Sequence, residues 1–142
     1  MSDAATEHAA RLEEQMRAAP FHEWLDLRVL SADDSHITIR STWRPEWDNG
    51  TASRSTHGGI IAALLDLAAD WAIASAVGVP APTLDFSVHY LRAAKPGDLT
   101  VTGRLVKGGR SITFAEAELV DADGKQIAVG RGTYASFATA SN

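Results

Sequence analysis

The chain has 142 residues, 45% of them apolar and 22% charged, the composition of one globular domain large enough to bury a hydrophobic core. Thirteen basic against eighteen acidic residues leave a formal charge of −5, which argues against nucleic acid as a partner. Cysteine is absent, which excludes disulfides and thiol chemistry and suits a reducing cytoplasm.

The opening "MSDAATEHAARLEEQMRAAP" has no basic start followed by an apolar run, so it does not read as a secretory signal. Ala9, Leu12, Met16 and Ala19 follow helical spacing, and Pro20 closes an N-terminal helix over residues 1–19, ahead of a single domain from 20 to 142. Two short strands are predicted next, Leu25–Leu30 and His36–Thr42, with the turn residues "SADDS" between them. The irregular "WRPEWDNGTASRST" then leads into "HGGIIAALLDLAADWAIASAV", a helix that is apolar nearly all round. It is almost long enough to span a bilayer, but two aspartates and many small residues point to a core helix and not to a membrane.

After "VGVPAP" the period changes and four β-like runs follow. "TLDFSVHYL" alternates, with Leu84, Phe86, Val88 and Tyr90 on one face and Thr83 on the other. The turns "KPGD", "KGGR" and "DADGK" connect it to "LTVTGRLV", "SITFAEAELV" and "QIAVGRGTYASF". Short turns imply antiparallel neighbours, so the expected class is α+β: one long apolar helix on an antiparallel sheet. In the last run Ala128, Gly130 and Gly132 share a face. Glycine there calls either for a close approach, by the helix lying across the sheet, or for a bend.

The chemistry concentrates in the long helix. Gly58 and Gly59 leave backbone N–H groups uncovered at its entrance, where the first N–H groups lack helical partners and the macrodipole is positive. Such an end polarises a carbonyl oxygen and stabilises the charge that develops on it, although "HGG" by itself marks ordinary turns equally well. Asp66 lies about 12 Å further along the axis, and Asp70 follows one turn later on nearly the same face. Asp66 is therefore too distant to serve a carbonyl held by its own helix, but it can serve one held by a second, antiparallel copy. Alternatively, both carboxylates are core or interface groups satisfied by hydroxyls, arginines or water.

The order "PFHEWLDLRV", Asn49, "HGGIIAALLD", "TLDFSVHYLRAAKPGD" and "GRSITFAEAELVDADGKQIAVGRGTY" resembles the hotdog-fold acyl-CoA thioesterases. The nearest group is the PaaI-type branch of the 4-hydroxybenzoyl-CoA thioesterase superfamily, and the likeness covers about residues 20–137. The resemblance implies a long helix wrapped by a curved antiparallel sheet, a homodimer at minimum and commonly a homotetramer. It implies Asp66 as the catalytic carboxylate, Gly58 as the backbone donor to the thioester carbonyl, His57 as the residue shaping that turn, and Asn49 as a group placing the water or the thioester. Gly59, Asp70 and Thr83 fall at substrate-binding positions. Two departures stand out. The segment "NGTASRSTH" is about two residues longer than usual, which leaves open whether Asn49 reaches the site, and Asp70 replaces a serine or threonine.

A thioester suits such a site. Its leaving thiol has a pKa near ~8.5, so little acid assistance is required. One carboxylate and a set of oxyanion donors then suffice, with Asp66 either activating water or attacking the carbonyl itself. Two carboxylates one turn apart repel and push one pKa upward, so Asp70 is a candidate to carry a proton. His8, His22, His36 and His89 show no metal-ligand spacing, and no phosphate loop or dinucleotide fingerprint is present. No metal or cofactor is therefore expected beyond the coenzyme A of the substrate. Trp43, Trp47 and Trp71 line either an acyl pocket or the core. Arg92, Lys95, Arg104, Arg110 and Arg131 are candidates for the coenzyme A phosphates or are solvated surface charge. Hydrolysis of acyl groups on a carrier protein, and a non-catalytic acyl-CoA-binding hotdog protein, are the alternative readings.

Overall fold

The computed structural model describes residues 2–136. Met1 of the expected N-terminal helix and residues 137–142 of the expected domain, with the end of its last strand, lie outside the described residues. Helix α1 (Asp3–Arg17) is capped by the Ser2 side chain and buries Ala9, Leu12 and Met16 in the common core. A second, short helix, α2 (Pro20–Trp24), follows, which the periodicity did not predict. Pro20 is its first residue and not merely the end of α1, the position where a missing N–H and a fixed φ do no harm. This helix, and the left-handed Asp26 after it, delay the first strand to Leu27–Ala32 (β1) from the expected Leu25–Leu30.

β2 spans His36–Ser41, and a single 3₁₀ turn at Pro45–Trp47 precedes the long helix α3 (Gly58–Val77). Four strands follow: β3 (Thr83–Tyr90), β4 (Leu99–Lys107), β5 (Ile112–Val120) and β6 (Gln126–Ala135). All neighbours are antiparallel, in the order β1-β2-β4-β5-β6-β3, and the six-stranded sheet does not close. With α3 packed across β4, β5 and β6, this is the hotdog arrangement. By composition α3 could cross a bilayer, yet it is the buried core helix of the fold.

The helix is apolar around most of its circumference because the sheet wraps it. Ile61, Leu64, Leu65, Leu67, Trp71 and Ile73 are all buried. Its C-terminus stops at Gly78, whose left-handed φ of 95° suits glycine and whose N–H returns to Ala74 O at 2.8 Å. The inward row of β5 is Thr113, Ala115, Ala117 and Leu119, paired with Tyr134, Gly132, Gly130 and Ala128 of β6. The alanines of β5 let the helix lie close. The tightest approach is at Gly103 of β4, where a Cβ would sit inside the Ala68 carbonyl of α3.

Two expectations about the sheet are corrected. At Gly130 and Gly132 the close neighbour is the Phe86 ring of β3, 2.6 and 2.5 Å from a built Cβ, and not the helix. The register between β3 and β6 also slips at Leu84: Thr83 pairs with Tyr134, but Asp85 pairs with Thr133 and Phe86 with Gly132. This bulge turns Thr83 onto the same, inward face as Phe86 and Val88, whereas strict alternation put it on the opposite one.

Candidate active site

Two features on α3 carry the site, one at its entrance and one midway. At the entrance, the loop from Trp47 to Thr56 is closed on itself. Asp48 and Thr56 form a bridge, the Asn49 N–H donates to Ser55 O at 2.9 Å, and Asn49 Oδ1 accepts from the Thr51 N–H and hydroxyl. The longer segment is thus absorbed by an internal turn. Asn49 stays at its neck, lining with Thr56, Gly58 and Ile61 a concavity of about 580 Å³. Its Oδ1 is spent on the loop, which leaves the amide NH2 as the group free to face that space.

His57 caps the helix. Its Nδ1 accepts from the Gly59 N–H at 2.8 Å, which requires the neutral ring with its proton on Nε2. The His57 N–H itself goes to Trp47 O, and the Ile60 N–H to His57 O. That leaves one entrance donor: the Gly58 N–H has no partner among the described residues. Gly59, expected as a binding residue, has its N–H committed to the cap and contributes space instead, since a Cβ there would press on the His57 ring at 3.0 Å. The Tyr90 hydroxyl donates to Gly58 O at 2.7 Å and holds the turn from the strand side. The buried hydroxyl of Thr56 also has no partner among the described residues, and Thr56 lines the same concavity.

Midway along α3, Asp66 is half-buried and tightly held. Its Oδ1 accepts from the Thr83 hydroxyl at 2.9 Å and from the Tyr134 hydroxyl at 2.9 Å. Tyr134 was absent from the sequence-derived candidates. The signal that could have found it is inward parity with Gly130 and Gly132, opposite the first residue of β3. Asp66 Oδ2 accepts from no described residue. Asp70, one turn on, accepts the Ala81 N–H at 2.7 Å. Burial raises its pKa to about 7, an effect partly offset by the Ala81 N–H, and the charge of Asp66 adds a smaller upward push. The repulsion expected from the sequence is therefore present but secondary to desolvation. Burial, with the nearby Asp66 carboxylate, also pushes the Tyr134 phenol upward, so it remains a donor.

The remaining candidates divide. Trp47 and Trp71 are core residues. Arg104 and Arg131 are both engaged with Glu116 on the outer face of the sheet. Arg92 is exposed and lines the concavity beside Gly58. No group of His, Asp and Glu suited to a metal ion occurs among the described residues.

The model of the thioesterase superfamily matches residues 55–128, a stretch containing both the helix entrance and the carboxylate pair. A thioesterase-superfamily protein of known crystal structure is 38% identical, covers 91% of this chain and 98% of its own, and superposes with a TM-score of 0.88. The PaaI protein of the E. coli phenylacetic acid degradation operon, 23% identical over 91% of this chain and 93% of its own, shares the fold with a TM-score of 0.74. A Halobacterium salinarum protein provisionally named an esterase is 34% identical over 125 residues, 80% of this chain and 82% of the relative. A medium/long-chain acyl-CoA thioesterase of Salmonella typhimurium, YigI, is 25% identical over 81% of this chain and 84% of its own length.

Proposed function

The chain belongs to the thioesterase superfamily, and from that premise we propose that it hydrolyses an acyl-CoA thioester to the free acid and coenzyme A. The observation that carries this reading is the combination of two groups on α3 that no described residue partners: the Gly58 N–H at its entrance and Oδ2 of Asp66 midway along it. Within one chain they lie about 12 Å apart, too far to act on one bond. In a homodimer with the two helices antiparallel, Gly58 of the partner subunit comes opposite Asp66, which creates two equivalent sites. The outer edge of β3, which pairs with no described strand, and the more than half exposed Leu84 on it and Leu91 just past its end support such pairing. A homotetramer of two such dimers is the full assembly proposed, and acyl-CoA as substrate makes a cytoplasmic location the natural one.

In this scheme the Gly58 N–H, at the positive end of the helix, polarises the thioester carbonyl and holds the oxyanion. Asp66 Oδ2 either takes a proton from water as it attacks, or attacks directly to give a mixed anhydride that water then opens. Collapse of the tetrahedral intermediate breaks the C–S bond and releases the coenzyme A thiolate. Asn49, Thr56 and Arg92 line the space on the glycine side, and in this reading Arg92 meets a phosphate of coenzyme A. The name of the Salmonella typhimurium relative supports acyl-CoA over other thioesters.

A panel of acyl-CoA and acyl-carrier-protein substrates, read by thiol release, tests the assignment. Asp66→Asn is expected to lower turnover of the best substrate by about 100-fold or more. Mixing Asp66→Asn subunits with Gly58→Val subunits is expected to restore part of the lost activity, because each heterodimer has one site with both groups intact. Undiminished turnover by Asp66→Asn, or no rescue on mixing, would overturn the composite site.

A further inference from the structure

Asp66 and Asp70 stand one turn apart on a half-buried helix face, yet the fold treats them differently. Asp66 receives two hydroxyl donors, Thr83 from β3 and Tyr134 from β6, both on the same oxygen at 2.9 Å. Among the described residues, Asp70 receives only the Ala81 backbone N–H. Thr83 and Tyr134 are register partners across β3 and β6, so one row of the sheet delivers both donors. Among the described residues no ion pair reaches Asp66 or Asp70, and β4 and β5 present Gly103, Ala115 and Ala117 toward α3, while β2 presents Ile37 and Ile39. The titratable groups facing Asp66 are Asp70 on its own helix and the Tyr134 phenol. The two carboxyls therefore differ in their burial and in their donors, and Tyr134 is a donor that Asp66 has and Asp70 lacks.

We propose that Tyr134 is the positioning residue of the active site: its hydroxyl selects Asp66 over Asp70 as the ionised carboxylate and anchors Oδ1 so that Oδ2 is the oxygen that reacts. The proposal rests on the thioesterase reading for its consequence, but not for its chemistry. Donors aimed at a carboxylate stabilise its charged form. Asp66 has two such donors on Oδ1. The raised pKa of Asp70 agrees with that division. A buried tyrosine seeking only a partner for its own hydroxyl has the Asp66 backbone carbonyl at 3.3 Å available, but the shorter bond goes to the carboxylate.

The test is Tyr134→Phe, which keeps the ring in its slot and deletes only the donor. Carbon-13 carboxyl NMR, with the two aspartates assigned from Asp66→Asn and Asp70→Asn spectra, follows both titrations without substrate. The two carboxyls titrate as a coupled pair, so the quantity read is the gap between their midpoints. In Tyr134→Phe the gap is expected to narrow by about one pH unit, through a rise at Asp66. The acid limb of kcat/KM is expected to move up with it, and kcat to fall about 10-fold at unchanged KM. Incorporating 3-fluorotyrosine, a more acidic donor, moves the Asp66 midpoint the other way and works even if Tyr134→Phe folds poorly. The chain has two tyrosines, so the same label in a Tyr90→Phe background isolates Tyr134. An unchanged gap in the NMR titration of both materials overturns the proposal. A wild-type protein that hydrolyses no acyl-CoA overturns the functional reading alone, because the NMR result stands independently of turnover.

Discussion

Replacing Asp70 with Asn makes the half-buried carboxyl permanently neutral while keeping an oxygen for the Ala81 N–H. Asp70 has an ordinary value of 3.8 and reaches about 7 in the fold. Between those values the folded protein holds a proton that the unfolded chain has released, so stability falls as pH rises through that window. The displacement is about three pH units, which at ~1.4 kcal/mol per unit sets a ceiling of about 4 kcal/mol. About 3 kcal/mol of that loss falls between pH 5 and pH 8. The neutral amide has no such window. Urea unfolding followed by tryptophan fluorescence, at one fixed protein concentration because assembly also contributes, compares the two proteins at both pH values. With a urea slope of ~2 kcal/mol/M, the wild-type midpoint is expected to drop by about 1 to 2 M more than that of Asp70→Asn. Groups away from the Asp66–Asp70 pair have the same surroundings in both proteins, and their contributions cancel. Equal drops would refute the reasoning, since they would mean that Asp70 is already ionised in the fold at pH 5 or is solvated enough to behave as a free group.

Asp70→Ser is expected to remove a limb near pH 7 from the kcat/KM profile and to lower activity about 10-fold, if the Asp70 proton serves Asp66 or the substrate. Full activity with an unchanged profile would sink that role. Gly103→Ala drives a methyl into the Ala68 carbonyl and is expected to cost about 3 kcal/mol by denaturant unfolding, whereas Gly108→Ala, with open space around it, is expected to change stability by less than ~0.5 kcal/mol. Leu84→Asp, at the exposed bulge of the outer strand, is expected to shift the protein toward monomers in sedimentation and to abolish turnover in proportion.

Much of the site was legible because local rules govern it. The His57 cap and the free Gly58 N–H are properties of a few consecutive residues, and helical spacing alone places Asp66 and Asp70 on one face. Thr83 was assigned the wrong face because period-two alternation holds only while a strand keeps its register, and the bulge at Leu84 breaks it. Tyr134 escaped notice because its meaning depends on a contact spanning most of the domain, from the last strand to the middle of the helix. The short helix at Pro20 was missed because a proline that ends one helix is equally suited to start another.

The amino-acid order alone therefore determined the elements of this protein and their sidedness: an apolar helix with an open, glycine-lined entrance, two acids along it, and strands joined by tight turns. Those features follow from spacing and backbone freedom within a few residues. Only the tertiary structure decided which oxygen of Asp66 is pinned, how far Asp70 is taken out of water, and which strands supply the hydroxyls to Asp66. Ionisation at this site is set by desolvation and by donors arriving from distant strands, and a bulge of one residue is enough to add or withdraw such a donor.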